Sequence, residues 1–315
     1  MAYTLSKDTL ALLEDLERRI DPDVEEDFER QWEDFLYGRF KGDIFIPTRK
    51  KQVPSAASFR PIDNINDAIA DYDAMLRHQL QSVSGALCSQ SASLCLRANY
   101  GTGIMTSLFG AEIFCMPREA NTLPTTRTVS GEDRIRAIIE RGVPDLESAL
   151  GKNVLEFGEL CAELFEHYPK VKRFVKMYHP DLQGPRDICE LLWGGDMFYA
   201  MYDEPELVHD LLGLVTKAYT AFMDRWFALY PPDPIMNPHW ASLYHRGGVM
   251  LRDDSAMNLS PQLYREFAAP YDAELLQRYG GAVHFCGRGD HYIEVLSEVP
   301  GLSGVNLAQA EYNNM

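Results

Sequence analysis

Short apolar runs alternate with helical segments along most of this chain, and several of the runs end in polar residues. Such alternation is typical of a parallel α/β fold, in which helices connect neighbouring strands. The apolar runs predict seven candidate strands, at about 44–47, 94–99, 174–179, 235–240, 249–253, 282–286 and 303–307. The pattern fits either a barrel or an open doubly wound sheet, and the sequence contains no glycine-rich nucleotide-binding motif that would favour the open sheet.

Two helical regions are predicted with particular clarity. Residues 1–40 form a charged helical extension, because apolar residues such as Leu13 and Leu16 recur at three-to-four spacing between acidic residues. Ser260, followed by a proline, is the expected N-cap of a helix that extends to about Tyr279.

The composition limits the partners and the compartment. A chain of 315 residues with 46% hydrophobic residues can bury a large core, and a single α/β barrel of this size is ordinary. The formal net charge of −17 argues against binding to nucleic acid or to an anionic membrane. Neither a signal peptide nor a run of about 18 apolar residues is found in the sequence. The six cysteines lack a disulfide-framework spacing, so a reducing cytoplasm is expected.

Polar residues at predicted strand ends indicate where a site would lie, because the active sites of parallel barrels collect at the carboxyl ends of the strands. These residues are Arg97, Asn99, Tyr100, His179, Asp181, Gln183, Asn237, His239, Arg252, Asp253, Asp254, His284, Cys286, Asn306 and Gln309. Several have a plainer interpretation. An aspartate there can start a turn, His179 can bond to backbone, and His239 lies among prolines that favour a surface loop.

His284 and Cys286 form the most specific pair. Alternate residues of a strand point to the same face, so the imidazole and the thiol are expected side by side at the end of the strand. Zinc is the metal that best accepts mixed nitrogen and sulfur ligands. Two ligands do not complete a site, and two half-buried side chains without a function remain the alternative.

Three ordered segments resemble the uroporphyrinogen decarboxylase superfamily, which also contains zinc methyltransferases that act on methylated corrinoids. They are LQGPRDICELLWGGDMFYAMYDEPELVHDLL (182–212), DDSAMNLSPQLYREFAAPYDAELL (253–276) and HFCG (284–287). The similarity extends over roughly residues 90–315. It implies a single (β/α)8 TIM-barrel domain spanning 1–315, with the helical extension at its N-terminus.

The two main branches of this superfamily imply different chemistry. The decarboxylases need no metal, hold the acidic side chains of a tetrapyrrole with an N-terminal arginine segment, and use an aspartate at an early strand end. This chain lacks that segment and has Asn99 and Tyr100 where the aspartate is expected. The methyltransferases bind zinc through His-x-Cys and a distant third cysteine, and His284 and Cys286 match the first two ligands.

The resemblance also suggests an incomplete barrel. The third cysteine of the methyltransferase branch lies well beyond position 315, and seven candidate strands are one too few for eight. We therefore expect a C-terminally truncated form of a longer protein, with the final strand or strands missing.

The first functional expectation is a zinc-dependent methyltransferase that moves a methyl group between a corrinoid and a thiol or other small acceptor. Zinc would be the cofactor, a methyl-corrinoid the co-substrate, and a corrinoid protein a partner. A homodimer is compatible with this assignment. The expected metal ligands are His284 and Cys286. The expected catalytic residues are Asp181, Asp254 and Asn99, and the expected substrate-binding residues are Arg97, Tyr100, His179, Gln183, Arg252, His239 and Asn306.

Two alternatives stay open. One is a decarboxylase or related lyase that acts on a tetrapyrrole or another acid, with Arg97 and Arg252 as the carboxylate holders. The other is a non-catalytic relative that binds a corrinoid or another ligand.

Overall fold

The computed structural model describes residues 5–59, 61, 62 and 64–313. The α-helices within these residues are α1 (Lys7–Arg19), α2 (Pro22–Leu36), α3 (Ile65–Ala70), α4 (Tyr72–Ala86), α5 (Ile104–Leu108), α6 (Glu132–Arg141), α7 (Ala149–Phe165), α8 (Pro169–Phe174), α9 (Pro185–Trp193), α10 (Asp196–Asp203), α11 (Pro205–Leu229), α12 (Pro261–Phe267), α13 (Ala269–Tyr279) and α14 (Ile293–Ser297). The strands are β1 (Cys95–Leu96), β2 (Ile113–Phe114), β3 (Thr125–Thr126), β4 (Lys176–Met177), β5 (Asn237–Pro238), β6 (Tyr244–His245), β7 (Val249–Arg252), β8 (Gly281–Phe285) and β9 (Leu302–Leu307).

The prediction of a parallel α/β fold is confirmed. Strands β7, β8 and β9 form a three-stranded parallel sheet, and β1 pairs in parallel with β4. The register of the three-stranded sheet places Arg252 opposite His284 and His284 opposite Asn306. Three polar residues predicted separately from three strand ends therefore lie in one row across the sheet.

A closed barrel is not formed by the strand pairings of the described residues. These pairings make four small sheets, β1–β4, β2–β3, β5–β6 and β7–β8–β9. The segment after β4 nevertheless joins two of them. Met250 in β7 donates its backbone N–H to His179 Nε2 over 2.9 Å, and the Gly184 N–H donates to the carbonyl of Arg252 over 2.7 Å.

The predicted strand at 44–47 is wrong. The described chain has no regular hydrogen-bonded structure there, and Ile44 and Ile46 are 79% and 66% exposed. Between them the Phe45 ring stacks on Phe35 of α2, with ring centroids 4.3 Å apart. The apolar alternation therefore belongs to a loop that one aromatic ring fixes to a helix.

The predicted strand at 235–240 is a short antiparallel hairpin and not a parallel strand. Asn237 and Pro238 in β5 pair with His245 and Tyr244 in β6. Proline cannot donate a ladder hydrogen bond, which restricts the length of such a pairing. The loop of this hairpin carries Trp240, whose φ of +58° is unusual for a bulky side chain.

The structure contains helices in both predicted helical regions, and the second region is interrupted once. Residues 1–4 of the predicted N-terminal extension lie outside the described residues. Helices α1 and α2 form the N-terminal extension, and Ser260 caps α12, since its Oγ accepts from the Leu263 N–H over 3.2 Å. The single helix expected up to Tyr279 is interrupted at Ala268. Pro270 explains the interruption, because its ring clashes with the carbonyl four residues earlier.

The hydrophobic core lies between the parallel strands and the helices. The long helix α11 contributes its apolar face to the core, and Phe222 and Trp226 are fully buried there. Val283 and Phe285 of β8 belong to the same cluster. None of the described helices combines the length and the apolar character that crossing a bilayer needs.

Candidate metal centre

Asp254, His284 and Cys286 bring three potential ligand atoms together. One ligand atom from each side chain lies within 4.8 Å of the other two. His284 Nε2 is 3.6 Å from Cys286 Sγ and 3.6 Å from Asp254 Oδ1. Strand alternation explains the histidine–cysteine pair, and the carboxylate arrives from the start of the 3-10 helix Asp254–Asn258, which follows β7 directly.

These separations fit a tetrahedral zinc site. Zinc bonds of about 2.0–2.3 Å to nitrogen, sulfur and oxygen place two ligands of a tetrahedron about 3.3–3.8 Å apart. Both separations from His284 Nε2 fall in that range. Two of the three ligand separations therefore match those around a tetrahedral ion, and the third is at most 4.8 Å.

Asn306 orients the imidazole of His284. Its Oδ1 lies 2.6 Å from His284 Nδ1, and a carbonyl oxygen only accepts, so Nδ1 carries the proton. The lone pair of Nε2 then points toward the thiol and the carboxylate. A hydrogen bond to the second ring nitrogen is the usual way in which proteins fix a metal-ligating histidine.

The backbone of Cys286 holds the carboxylate. Its N–H donates to Asp254 Oδ1 over 2.8 Å, which fixes that oxygen beside the thiol. The Gly287 N–H donates to Gln309 Oε1 over 2.7 Å, so the turn that follows the cysteine is also fixed.

The His284 imidazole and the Cys286 thiol are both neutral without a metal. Burial lowers the pKa of His284, against the opposite effects of Asn306 and Asp254. Burial, reinforced by the neighbouring Asp254 charge, raises the pKa of Cys286 to about 11. A bound dication would oppose this shift, because metals bind the thiolate and displace its proton.

A second polar group, beside the candidate ligands, is organised around Asp181. The Arg97 guanidinium lies 3.2 Å from this carboxylate, and Arg252 and Gln183 also donate to it. Gln183 adopts a positive φ of 68°, and its amide donates to Asp181. All four side chains were predicted from strand ends, and the structure brings them together.

Trp240 connects the two groups, and sequence reasoning missed it. Its ring lies 4.8 Å from the His284 ring at 88°, and the Arg252 guanidinium lies 5.0 Å from its centroid. Its place in the site is evident only from its positive φ and its neighbours in space. Neither can be predicted from a proline-rich loop sequence.

Two of the predicted histidines lie nearby in different bonding states. His179 is bonded through both ring nitrogens, to the carbonyl of Pro180 and to the Met250 N–H, which supports the plainer backbone interpretation. His239 Nε2 lies 3.2 Å from Arg252, while its buried Nδ1 has no partner among the described residues. Burial lowers the pKa of His179 to about 3.

Asn99 and Tyr100 do not belong to the candidate metal cluster. Tyr100 is fully buried against Phe157 of α7, with ring centroids 6.4 Å apart. Asn99 Oδ1 is buried and accepts no hydrogen bond within the described part of the chain.

The remaining polar residues at the predicted strand ends have structural partners. Asn237 Nδ2 donates to the carbonyls of Asp233 and Gly247. Asp253 is fully buried and accepts from the Tyr264 hydroxyl over 3.2 Å. The bonds of Asn237 favour the loop interpretation. Asp253 instead belongs to a buried polar group, since its Oδ1 has no hydrogen-bond partner among the described residues and lies 3.9 Å from the Arg186 guanidinium.

Fold and cluster together define an α/β protein with a candidate transition-metal centre at the carboxyl end of a parallel sheet. Among solved structures, the chain is similar to a methyltransferase from Methanosarcina mazei, with a TM-score of 0.58 over 88% of this chain and 75% of that chain. The sequence identity is 14%, so this likeness concerns the fold alone. No family model and no curated protein matches the chain.

Proposed function

We propose that this protein is a zinc-dependent methyltransferase that moves a methyl group between a corrinoid and a thiol or other small acceptor. The observation that carries the proposal is the cluster of Asp254, His284 and Cys286, with its three ligand atoms within 4.8 Å. The fold shared with a protein described as a methyltransferase supports the same reaction class.

His284, Cys286 and Asp254 would hold the metal. Asp254, expected from the sequence to act on substrate, would take the place that the family resemblance gives to a third cysteine. When bound, zinc would lower the pKa of an acceptor thiol so that the thiolate could attack a methyl group. Asn306 would keep His284 in its ligating tautomer through the bond to Nδ1.

Arg97 and Arg252 would bind and orient an anionic part of the substrate. Both guanidiniums already contact one carboxylate, that of Asp181, and both are largely buried, with side chains 12% and 7% exposed. Asp181 and Gln183 would keep the two guanidiniums in place. Trp240 would form one wall, because it packs against Arg252 and against His284.

Three further parts of the proposal rest on the family resemblance. The parallel strands would belong to the wall of a (β/α)8 barrel, with the 178–184 segment bridging β4 and β7. The methyl-carrying partner would be a corrinoid or a corrinoid protein. The compartment would be a reducing cytoplasm, which would keep Cys286 free to bind metal.

One observation favours a lyase as the second candidate. Arg97 and Arg252 converge on a carboxylate, the group that a decarboxylase acting on a tetrapyrrole or another acid must hold. Such an enzyme would need neither zinc nor Cys286. Turnover of uroporphyrinogen by metal-free protein, unchanged in Cys286→Ser, would favour this candidate over the methyltransferase.

The proposal is tested with zinc-loaded protein, methylcobalamin and a panel of small neutral and anionic thiols, under anaerobic conditions. We expect absorbance changes of cobalamin demethylation with at least one thiol, and a rate at least about 100-fold lower in Cys286→Ser. Cys115→Ser is the matched control, because Cys115 is exposed and lies outside the cluster. No thiol-dependent demethylation by protein with bound zinc would reject the proposal.

A further inference from the structure

Asp187 is a buried acid behind the candidate metal centre that the proposed function does not use. It lies in the first turn of α9 and is 3% exposed. Its Oδ2 accepts from the Asp254 N–H over 2.7 Å. Its Oδ1 accepts from the N–H and the hydroxyl of Ser255, over 3.3 and 2.9 Å. Asp187 thus accepts the first free N–H groups of the 3-10 helix Asp254–Asn258, as an N-cap side chain would, although it lies in a different segment of the chain.

Arg186 fixes the carboxylate of Asp187 from the other side. Its guanidinium is fully buried, contacts Asp187 Oδ1, and donates to Ser255 Oγ over 2.5 Å. Hydrogen bonds between charged groups are stronger and more directional than neutral ones. The carboxylate is therefore held in one place relative to the 254–255 backbone.

Asp254 is consequently anchored at both ends. Its main chain is bonded to Asp187, and its side-chain Oδ1 is bonded to the Cys286 N–H over 2.8 Å. The same Oδ1 lies 3.6 Å from His284 Nε2. The anchor on the main chain determines where the side chain starts, so it determines whether the oxygen reaches the other two ligand atoms.

We propose that Asp187 is a positioning residue for metal binding, which acts through the backbone of Asp254. This inference rests on the proposed metal site. In Asp187→Asn one carboxylate oxygen becomes an NH2 donor, so one of the two N–H groups loses its acceptor and faces another donor. The turn then relaxes, and the Asp254 oxygen moves away from His284 and Cys286. Metal affinity then falls although all three ligands remain.

The test measures the dissociation constant of Co2+ by chelator competition, together with the absorption spectrum of the Co2+-loaded protein. Asp187→Asn is compared with Asp272→Asn, which removes a carboxyl of similar burial that accepts from Tyr264 instead. We expect Asp187→Asn to weaken Co2+ binding about 10- to 100-fold and to shift the ligand-field bands. Asp272→Asn should stay within about threefold of the wild type.

A double-substitution cycle separates positioning from a general structural role. Asp254→Ala keeps the backbone N–H but removes the proposed ligand. If Asp187 acts through that ligand, adding Asp187→Asn to Asp254→Ala costs less than about twofold in further affinity. An equal loss in both backgrounds, or equal effects of Asp187→Asn and Asp272→Asn, overturns the inference.

The failures of the two proposals are distinguishable. Wild-type protein that binds no Co2+ or Zn2+ contradicts the proposed function itself, whereas normal binding by both wild type and Asp187→Asn contradicts only the positioning role. Circular dichroism checks the fold of every variant. If Asp187→Asn does not fold, Ser255→Ala replaces it, because it removes a hydroxyl that bonds both Asp187 and Arg186. Unchanged Co2+ affinity in Ser255→Ala would then overturn the inference.

Discussion

At the scale of single residues, the chemistry of the candidate centre depends on the protonation of Cys286. Its pKa of about 11 without metal means that a thiol, and not a thiolate, is present near neutral pH. His284 needs no such deprotonation, because burial lowers its pKa. The cost of binding a metal at neutral pH is therefore the removal of one proton from sulfur.

This protonation state predicts a pH-dependent zinc affinity. Between pH 6.5 and 8.5 the dissociation constant should fall about tenfold per pH unit, because each bound ion displaces one thiol proton. Chelator competition at several pH values measures the slope, and proton release can be titrated in weak buffer. Cys286→Ser should lose the slope together with most of the affinity. A constant affinity across this range in the wild type would show that sulfur is not a ligand.

Asp181 is predicted to be essential for stability as well as for substrate binding. Asp181→Asn leaves the buried guanidiniums of Arg97 and Arg252 without a counter-charge, which should destabilise the fold by about 3–5 kcal/mol. Urea unfolding measures the loss. Asp34→Asn, which breaks an exposed ion pair with Arg39, should leave the unfolding midpoint unchanged. An unaltered midpoint in Asp181→Asn would contradict the buried network.

At the scale of elements, the cap of α12 gives a local test. Ser260→Ala removes the hydrogen bond between Ser260 Oγ and the Leu263 N–H, and we expect a loss of about 1 kcal/mol in the free energy of unfolding. Ser297→Ala serves as the control, because that hydroxyl bonds the carbonyl of Glu294 inside a helix. Equal stability of Ser260→Ala and the wild type would show that the cap contributes nothing.

Helices and strands that are determined by neighbouring residues could be predicted from the sequence. Segments whose conformation depends on tertiary contacts could not. The Ser260 cap and strand β8 follow from neighbouring residues, and the structure contains both. The apolar residues at 44–47 resemble a strand in the sequence. Phe45 is apolar because it packs on α2, and this tertiary contact is not visible in the sequence. The interruption at Ala268 follows from Pro270, a signal that the sequence does contain.

In the candidate site, too, the contacts set by local sequence could be predicted and those set by the tertiary fold could not. Strand alternation predicts that His284 and Cys286 share a face, and the structure agrees. The arrival of Asp254 beside them depends on the turn after β7 and on its bonds to Asp187, which lies 67 residues away in the chain. Sequence spacing carries no information about such a contact. For the same reason the sequence pointed to Asp254 as a polar strand end but not as a partner of the metal ligands.

At the scale of the whole molecule, buried titratable groups of two kinds set the acid stability. Burial lowers the pKa of His245 to about 4, so this side chain is neutral in the folded state and charged in the unfolded state below about pH 6.5. The unfolded state then binds more protons than the folded state, so this group makes the free energy of unfolding decrease as the pH is lowered from about 7 toward 4. Burial raises the pKa of Asp272, which has the opposite effect, because only the unfolded state releases that proton.

Two substitutions should separate these opposing contributions. His245→Asn keeps a donor for the carbonyl of Arg246 but does not titrate, so the stability lost between pH 7 and 5.5 should shrink by about 1 kcal/mol. Asp272→Asn should enlarge that loss, since it removes a group that favours the folded state as pH falls. Urea unfolding at both pH values measures each difference. Identical pH dependence in the wild type and both variants would contradict these assignments.

The claim on which the functional account depends is that the cluster of Asp254, His284 and Cys286 binds zinc. The most direct test is the metal content of protein purified anaerobically, measured by mass spectrometry for the wild type and for Cys286→Ser. We expect about one zinc per chain in the wild type and the loss of most of it in the variant. Wild-type protein without zinc, or a variant that retains a full equivalent, would show that this cluster is not a zinc site.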